Sequence, residues 1–255
     1  MLTTLSARGD ETTIAVASNF TAPMQAMVNQ FEAQSAHRVK VAFGSSGKFF
    51  AQINHGAPFD AFFSADAEKP ARLIAQGLAE KTSLRTYAEG KLVLWSRRDG
   101  FVDDQGLVLK SGQFHKLALA NPKLAPYGAA AIEVLQHLKL AQSTRSQWVQ
   151  GENISQTYQF VASGNADLGL IALSQVMRDG KITEGSAWLV PDSFYGPIRQ
   201  DAVILKRGRE NPALLAFWLF VKSPAAQATI RRYGYNTGAS SGPLKATEGG
   251  DTDAE

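Results

Sequence analysis

The chain has 255 residues, of which 44% are hydrophobic, so it is long enough to form one large domain or two of ordinary size around a substantial core. Its net charge of +3 comes from scattered Lys and Arg residues without a block of like charge, which argues against a nucleic-acid-binding surface or a polybasic membrane anchor. The absence of Cys excludes disulfides, thiol nucleophiles and Cys-based metal sites.

The sequence was searched for membrane-spanning, leader and disordered segments. No run of 18 or more apolar residues occurs, so we expect no membrane-spanning helix. The first residues, MLTTLSARGDE, do not form a basic start followed by an apolar core, so no secretory signal is expected in the sequence as it stands. Residues 237–255 are rich in Gly, Ser, Thr and acidic side chains, which predicts a disordered tail.

Residues 13–31, TIAVASNFTAPMQAMVNQF, predict a strand, a polar turn and a helix in succession. The apolar run ends at Ser18 and Asn19, after which Met24 and Phe31 lie on one face of the predicted helix. The first N–H groups of such a helix lack intrahelical partners and lie at the positive end of its dipole, which makes the turn a seat for an anion. Ser, Asn and Thr also cap helices where no ligand binds, so this stretch alone favours simple capping.

A second copy of the same arrangement strengthens the case for a binding site. Residues 38–43, RVKVAF, alternate polar and apolar side chains as a strand does, and they run through the polar turn GSSGK at 44–48 into a helix with Phe49 and Ile53. The turn is not a phosphate-binding P-loop, because positions 42 and 49 are Ala and Phe where that motif needs Gly and Ser or Thr.

The rest of the chain alternates predicted strands and helices. Further strands are predicted at residues 59–65, 90–96, 116–120, 167–173, 187–190 and 202–206, and further helices at 128–140, 154–161, 212–221 and 224–233. Two prolines within residues 121–127 are taken to exclude an earlier start of the helix at 128. The alternation predicts an α/β fold with mainly parallel sheets, in which ligands lie at the carboxyl ends of the strands, where both Ser-containing turns fall.

Two stretches, residues 92–98 and 198–205, are predicted to carry the chain out of one α/β lobe and back into it. The first lobe then comprises residues 12–93 and 202–237, and the second comprises residues 94–201. Residues 1–11 and 238–255 are expected to be flexible tails. Two lobes joined by two strands can close around a ligand by hinge motion.

The chain resembles the molybdate-binding periplasmic proteins of ABC uptake systems, which are type II solute-binding proteins. The resemblance is carried by VASNFTAPMQAMVNQF, VKVAFGSSGKFFAQINHGAPFDAFFSADAEKP, NPKLAPYGAAAIEVLQHL, ADLGLIALSQV and AAQATIRRYGYN, in the family's order across most of residues 13–237. It implies two Rossmann-like lobes with a two-strand hinge, a molybdate or tungstate ligand, an ABC permease as partner, a periplasmic location and a monomer. Because no leader is expected in the first residues, the protein is expected either to be cytoplasmic or to have a natural leader that is missing from this sequence; the resemblance favours the second alternative.

The family's ligand site maps onto this chain position by position. By resemblance, the first lobe supplies Ser18 with Asn19 beside it, and Ser46 with Ser45 as a further candidate. The second lobe supplies two backbone N–H groups, those of Tyr127 and Ile154. Many family members add a Tyr from the strand that reads LGLIAL here, but this chain has Ala172 at that position, and Asn19 is the candidate to compensate for the missing hydroxyl.

Neutral donors of this kind suit a tetrahedral dianion, whose oxygens only accept hydrogen bonds. A pocket fitted to molybdate is expected to exclude the smaller sulfate, although a protein for sulfate or another tetrahedral oxyanion remains an alternative. The four His residues lack metal-ligand spacing, so neither a protein-coordinated metal ion nor a cofactor is expected.

Two further functions stay open at this stage. An α/β enzyme could use Ser18 or Ser46 as nucleophile, but neither residue lies in a Gly-x-Ser-x-Gly elbow. The ligand-sensing half of a transcription regulator shares the two-lobed architecture, but it needs a helix-turn-helix, and the first strand begins near residue 13. We therefore expect a transport receptor, with neither catalysis nor nucleic-acid binding.

Overall fold

A computed structural model describes residues 9–237, which form twelve strands and eight α-helices. The strands are β1 (Glu11–Ala17), β2 (Arg38–Gly44), β3 (Ala61–Phe63), β4 (Arg85–Gly90), β5 (Leu92–Ser96), β6 (Leu117–Ala120), β7 (Trp148–Gly151), β8 (Leu168–Ala172), β9 (Met177–Arg178), β10 (Lys181–Ile182), β11 (Ser186–Leu189) and β12 (Ile198–Ile204). The helices are α1 (Thr21–Glu32), α2 (Ser46–Asn54), α3 (Glu68–Ala75), α4 (Leu107–Ser111), α5 (Pro126–His137), α6 (Ile154–Ala162), α7 (Pro212–Phe220) and α8 (Pro224–Arg232).

Each lobe is built on one five-stranded sheet. The strand order is β2-β1-β3-β12-β4 in the first lobe and β11-β5-β8-β6-β7 in the second. In the first sheet β1 pairs in parallel with β2 and β3, whereas β12 runs antiparallel to β3 and β4. The second sheet repeats this division, with β6 parallel to β7 and β8, and β5 antiparallel to β8 and β11. The predicted two-lobed α/β fold is confirmed, and both sheets are mixed.

The chain passes between the sheets twice. Strand β4 ends at Gly90 in the first sheet and β5 begins at Leu92 in the second, so Lys91 is the first crossing. The return runs from the end of β11 at Leu189 to the start of β12 at Ile198. The predicted lobe bounds, 93/94 and 201/202, fall inside β5 and β12, respectively.

Buried apolar side chains fill both faces of the first sheet and join it to its helices. Phe63, Met24 and Phe217 belong to the cluster on one face, and Phe62 and Phe49 belong to the cluster on the other. These packed layers hold the carboxyl ends of β1 and β2 in place, and both strands end at the polar turns that the sequence singled out.

The structure differs from the sequence-based prediction at several elements. Helix α5 begins at Pro126, because Pro at the first helical position needs no N–H partner and its fixed φ suits the helix; the prediction of a start at residue 128 was wrong. Strands β4 and β7 were not predicted. Glu11 pairs with Arg38 in the first sheet, so the predicted N-terminal tail is too long at that end. Residues 1–8 and the predicted tail at 238–255 lie outside the described residues.

Within residues 9–237, no single helix has both the length and the apolar composition needed to cross a membrane. Helices α7 and α8 reach that length only as a pair bent by 66°.

Candidate functional site

A small cavity lies between the lobes at the carboxyl ends of β1, β2 and β6. Its lining consists of uncharged residues, namely Ala17, Ser18, Asn19, Gly44, Ser45, Ser46, Ala65, Ala125, Pro126, Tyr127 and Ile154. All six candidate site residues are in this set. The structure thus brings together, from both lobes, residues that lie up to 136 positions apart in the sequence, from Ser18 to Ile154.

On the first lobe, the two serine-containing turns supply hydroxyl groups at helix starts. Residues Ser18–Phe20 form a 3-10 turn that leads directly into α1. Ser45 caps α2, because its Oγ accepts a hydrogen bond from Lys48 N at 3.3 Å. The Oγ of Ser46 accepts from Ala65 N at 2.9 Å, which leaves the hydroxyl hydrogen of this buried residue available to an acceptor in the cavity.

On the second lobe, the cavity is lined by the first turns of two helices. Ile154 is the first residue of α6, and Asn153 caps that helix by accepting a hydrogen bond from Gln156 N at 3.0 Å. Tyr127 is the second residue of α5 and follows Pro126. The N–H groups at these positions have no acceptor within their own helices, so they can donate to a ligand.

Three α-helix N-termini, those of α2, α5 and α6, and the 3-10 turn that leads into α1 therefore meet at one cavity. Each α-helix N-terminus contributes a partial positive charge of about half an elementary charge. Because the lining side chains are uncharged, this potential comes from oriented peptide groups. The cavity favours a small anion that accepts hydrogen bonds on all sides, and it offers nothing that would neutralise a cation.

The side chain of Asn19 is engaged elsewhere. Its Nδ2 donates to Gln200 Oε1 at 2.8 Å and to Tyr235 Oη at 2.9 Å, so both amide hydrogens are used inside the protein. The suggestion that this amide replaces the Tyr hydroxyl missing at Ala172 does not fit these contacts. Asn19 can reach a ligand through its backbone N–H, and that role remains a prediction.

A buried polar network behind the cavity was missed by the sequence analysis. It consists of Asn19, Tyr87, Tyr127, Ser174, Gln200 and Tyr235. Burial raises the pKa of Tyr127 and of Tyr87 well above the usual value and raises the pKa of Tyr235 to about 12, so these hydroxyls stay neutral. Gln200 lies between Arg199 and Asp201 in β12, so the sequence carried no signal that set apart its buried side chain.

Other contacts join the lobes around the cavity. Gly47 N donates to Leu124 O at 2.9 Å, and Ser155 Oγ donates to Ser18 O at 3.0 Å. Lys48 and Glu152 form an ion pair across the same edge, with both side chains about half exposed. The lobes are therefore in contact on several sides of the cavity, as in a closed binding cleft.

Groups that could support other chemistry are placed elsewhere or are already satisfied. Within the described part of the chain, no cluster of three or more His, Asp or Glu side chains could hold a metal ion. The buried carboxylate of Asp60 accepts hydrogen bonds from Thr12 Oγ1, Thr13 N and Arg207 Nε, so it ties β1 to the segment that follows β12.

Comparison with known proteins identifies the family of this chain. The family model of bacterial extracellular solute-binding proteins matches residues 12–236. The molybdate-binding protein ModA of Azotobacter vinelandii is 52% identical over 230 residues, which cover 90% of this chain and 91% of that protein. The ModA of Rhodobacter capsulatus is 48% identical over 234 residues, with 91% of each covered.

Solved structures give the same relationship. The periplasmic molybdate-binding protein of A. vinelandii superposes with a TM-score of 0.85 and 41% identity, covering 88% of this chain and 98% of that one. The sulfate-binding protein SubI of Mycobacterium tuberculosis H37Rv shares the fold, with a TM-score of 0.69 at 14% identity and coverage of 89% and 87%. The chain belongs to the family of bacterial extracellular solute-binding proteins.

Proposed function

We propose that this protein binds molybdate between its two lobes and delivers it to the membrane permease of an ABC importer. The observation that carries the proposal is the uncharged cavity, in which hydroxyl groups and free helix-start N–H groups from both lobes converge. The two relatives named molybdate-binding protein, similar over about nine tenths of the chain, support molybdate as the ligand.

The donor set suits a tetrahedral dianion in chemical terms. All four oxygens of molybdate accept hydrogen bonds, and hydroxyl and N–H groups can all donate to them, whereas a carboxylate in the lining would repel the ion. A neutral hydrogen bond contributes only about 0.5–1.5 kcal/mol net, so tight binding needs several donors acting together in a closed, dry cleft. The helix dipoles add to this without the indiscriminate attraction of a lysine.

Selectivity follows from size in this proposal. Donors fixed on two lobes around molybdate cannot all reach the shorter bonds of sulfate, so sulfate loses part of its hydrogen bonding. Tungstate has nearly the same size and charge as molybdate, and we expect it to bind as well.

The lining gives no support to a hydrolytic function. A nucleophilic Ser18 or Ser46 needs a neighbouring base, and the residues that line the cavity include no His, Asp, Glu or Lys.

We propose that the protein is a receptor without catalytic activity and acts in the periplasm as a monomer.

A thermal-unfolding series tests the proposal. The protein is heated alone and with molybdate, tungstate, sulfate or phosphate at equal concentration. A ligand at 100 times its dissociation constant stabilises the folded protein by about 2.7 kcal/mol, so we expect large shifts of Tm with molybdate and tungstate and small ones with sulfate and phosphate. A shift with sulfate equal to that with molybdate would contradict the proposed selectivity, and the absence of any shift with molybdate would contradict the function.

A further inference from the structure

Gln200 connects the two lobes directly behind the cavity. It is fully buried on β12, the strand that returns the chain to the first lobe. Its Oε1 accepts hydrogen bonds from Asn19 Nδ2 at 2.8 Å and from Tyr87 Oη at 3.0 Å, both in the first lobe. Its Nε2 donates to Tyr127 Oη at 3.1 Å, which belongs to the second lobe. One side-chain amide thus contacts a cavity-lining residue of each lobe.

The backbone at the first crossing leaves room for this contact. Gly90 is the last residue of β4, immediately before Lys91, where the chain leaves the first sheet. A Cβ at Gly90 would lie 1.9 Å from Tyr127 Oη and 2.7 Å from Gln200 Nε2. The space that the Tyr127–Gln200 pair occupies therefore exists because residue 90 has no side chain.

A second link between the lobes ends on the same residue, Asn19. Ser174, in the second lobe, donates from its Oγ to Asn19 O at 2.9 Å. Tyr235 Oη, in the first lobe, lies 2.9 Å from Ser174 Oγ. Asn19 is thus held to the second lobe both through Gln200 and Tyr127 and through Ser174.

We propose that Gln200 is a positioning residue that locks the closed cleft through Tyr127 and so slows the release of the bound anion without touching it. The inference rests on the proposed function. Separation of the lobes would break the Gln200–Tyr127 and Ser174–Asn19 hydrogen bonds and leave buried polar groups to be hydrated, and an unsatisfied buried group is costly.

We expect the interlobe hydrogen bonds to lower the dissociation rate constant of the anion and to leave its association rate constant nearly unchanged. An anion enters the open cleft before these interlobe bonds have formed, so they do not limit its entry. It can leave only after they have broken, and for this reason they add to the barrier for release.

Tyr127→Phe isolates the interlobe bond from the contact with the ligand. The substitution removes the hydroxyl that accepts from Gln200 but keeps the ring and the backbone N–H that we expect to donate to the anion. Stopped-flow measurements with molybdate should show a dissociation rate constant raised roughly tenfold and an association rate constant changed less than about twofold, as expected for the loss of one buried hydrogen bond.

Thr144→Val is the matched control. Thr144 is a buried residue whose Oγ1 donates to Leu140 O and accepts from Trp148 Nε1, all within the second lobe. Its substitution should lower Tm without changing the dissociation rate of molybdate. A general loss of stability would affect the control as much as Tyr127→Phe, which distinguishes the two explanations.

Two more variants complete the test. Gln200→Leu should raise the dissociation rate as Tyr127→Phe does, and the double variant should do no worse than the stronger single one, because both remove the same bond. Ser174→Ala tests the second link should either of these variants fail to fold, and it should also speed release. Unchanged dissociation rates, or fully additive effects of Tyr127→Phe and Gln200→Leu, would overturn the inference. Failure of the unaltered protein to bind molybdate would instead overturn the proposed function, and the inference with it.

Discussion

At the scale of single residues, we propose that the hydroxyl group of Ser46 serves both the fold and the ligand. Ser46 accepts a hydrogen bond from Ala65 N and keeps its own hydrogen for the cavity. The Oγ of Ser45, its neighbour, accepts a hydrogen bond from Lys48 N as the cap of α2. The sequence pattern GSSGK predicted a polar turn at this place, but the bond of Ser46 to Ala65 N depends on the segment after β3, 19 positions away.

Ser46→Ala should weaken molybdate binding by roughly 10- to 150-fold, since a hydrogen bond to a charged group contributes about 1.5–3 kcal/mol. The variant should remain folded, with a slightly lower Tm because Ala65 N loses its acceptor. Isothermal titration calorimetry measures the affinity, and Ser163→Ala, at an exposed helix end, is the control. An unchanged affinity would remove Ser46 from the site.

The buried tyrosines predict how the protein responds to pH. Burial raises the pKa of Tyr87, Tyr127 and Tyr235 above the value of about 10 that Tyr has when exposed, and for Tyr235 it reaches about 12. The folded state therefore binds these protons more tightly than the unfolded state. This stabilisation is fully present below about pH 10 and is lost as the pH rises through the folded-state values.

We expect the free energy of unfolding to stay nearly constant between about pH 7 and 9 and to fall above about pH 10, and the affinity for molybdate to stay nearly constant between about pH 7 and 9. Urea unfolding and calorimetry across this range measure the two quantities. A marked loss of affinity between pH 7 and 9 would mean that a titratable group contacts the anion, contrary to the uncharged lining.

At the scale of elements, the helix starts are what the sequence predicts best at this site. The caps at Ser45 and Asn153 stand just before apolar residues at helical spacing, so α2 and α6 could be placed from local pattern alone. Helix α5 could be placed only approximately, because a proline can either exclude a helix or open one. Strand β4 was missed because RTYAEG is largely polar, and β7 was missed because WVQG has only four residues. Both are stabilised as strands by pairing with β12 and β6, which are remote in sequence.

Ile154→Pro tests the backbone donor of α6. Proline is tolerated at the first helical position, and the extended conformation of Asn153 suits a residue before proline, so the change removes the N–H with little damage to the helix. We expect molybdate affinity to fall by roughly tenfold, as measured by calorimetry.

Ile154→Val keeps the N–H and trims the buried side chain, so it is the control for lost packing. Its affinity should stay close to that of the unaltered protein. Equal affinities of the Pro and Val variants would show that this N–H does not contact the anion.

At the scale of the whole molecule, the site exists only where two lobes meet. The lining residues of the first lobe could be predicted from local turns in the sequence. Those of the second lobe were indicated only by the resemblance to a family. The network around Gln200 could not be predicted, since Asn19 and Gln200 are 181 positions apart and only the fold brings them together. Gly47 is a second example. The sequence predicted the turn that contains it, but only the fold shows that the lack of a side chain at Gly47 allows the two lobes to approach.

Gly47→Ala should impair closure without harming the first lobe. A Cβ at Gly47 would lie 2.9 Å from Leu124 Cα and 3.0 Å from Leu124 O, so the lobes could not approach as closely. Alanine is favoured over glycine inside a helix, so Tm without ligand should be unchanged or higher. We expect molybdate affinity to fall by roughly tenfold or more, in proportion to the closure that is lost.

Gly196→Ala is the matched control for this change, because its nearest neighbour outside the local chain would be Glu133 Oε2, in ordinary contact at 3.6 Å. Small-angle scattering with molybdate should show a decrease in the radius of gyration for the control and a smaller decrease for Gly47→Ala. Equal compaction of both proteins would contradict the role assigned to Gly47.

A crystal structure of the protein grown with molybdate tests the central claim most directly. We expect the anion's electron density between the lobes, with its oxygens within hydrogen-bond distance of the hydroxyls of Ser18 and Ser46 and of the backbone N–H groups of Tyr127 and Ile154. An anion held by Arg or Lys side chains at another place, with this cavity unoccupied, would contradict the account.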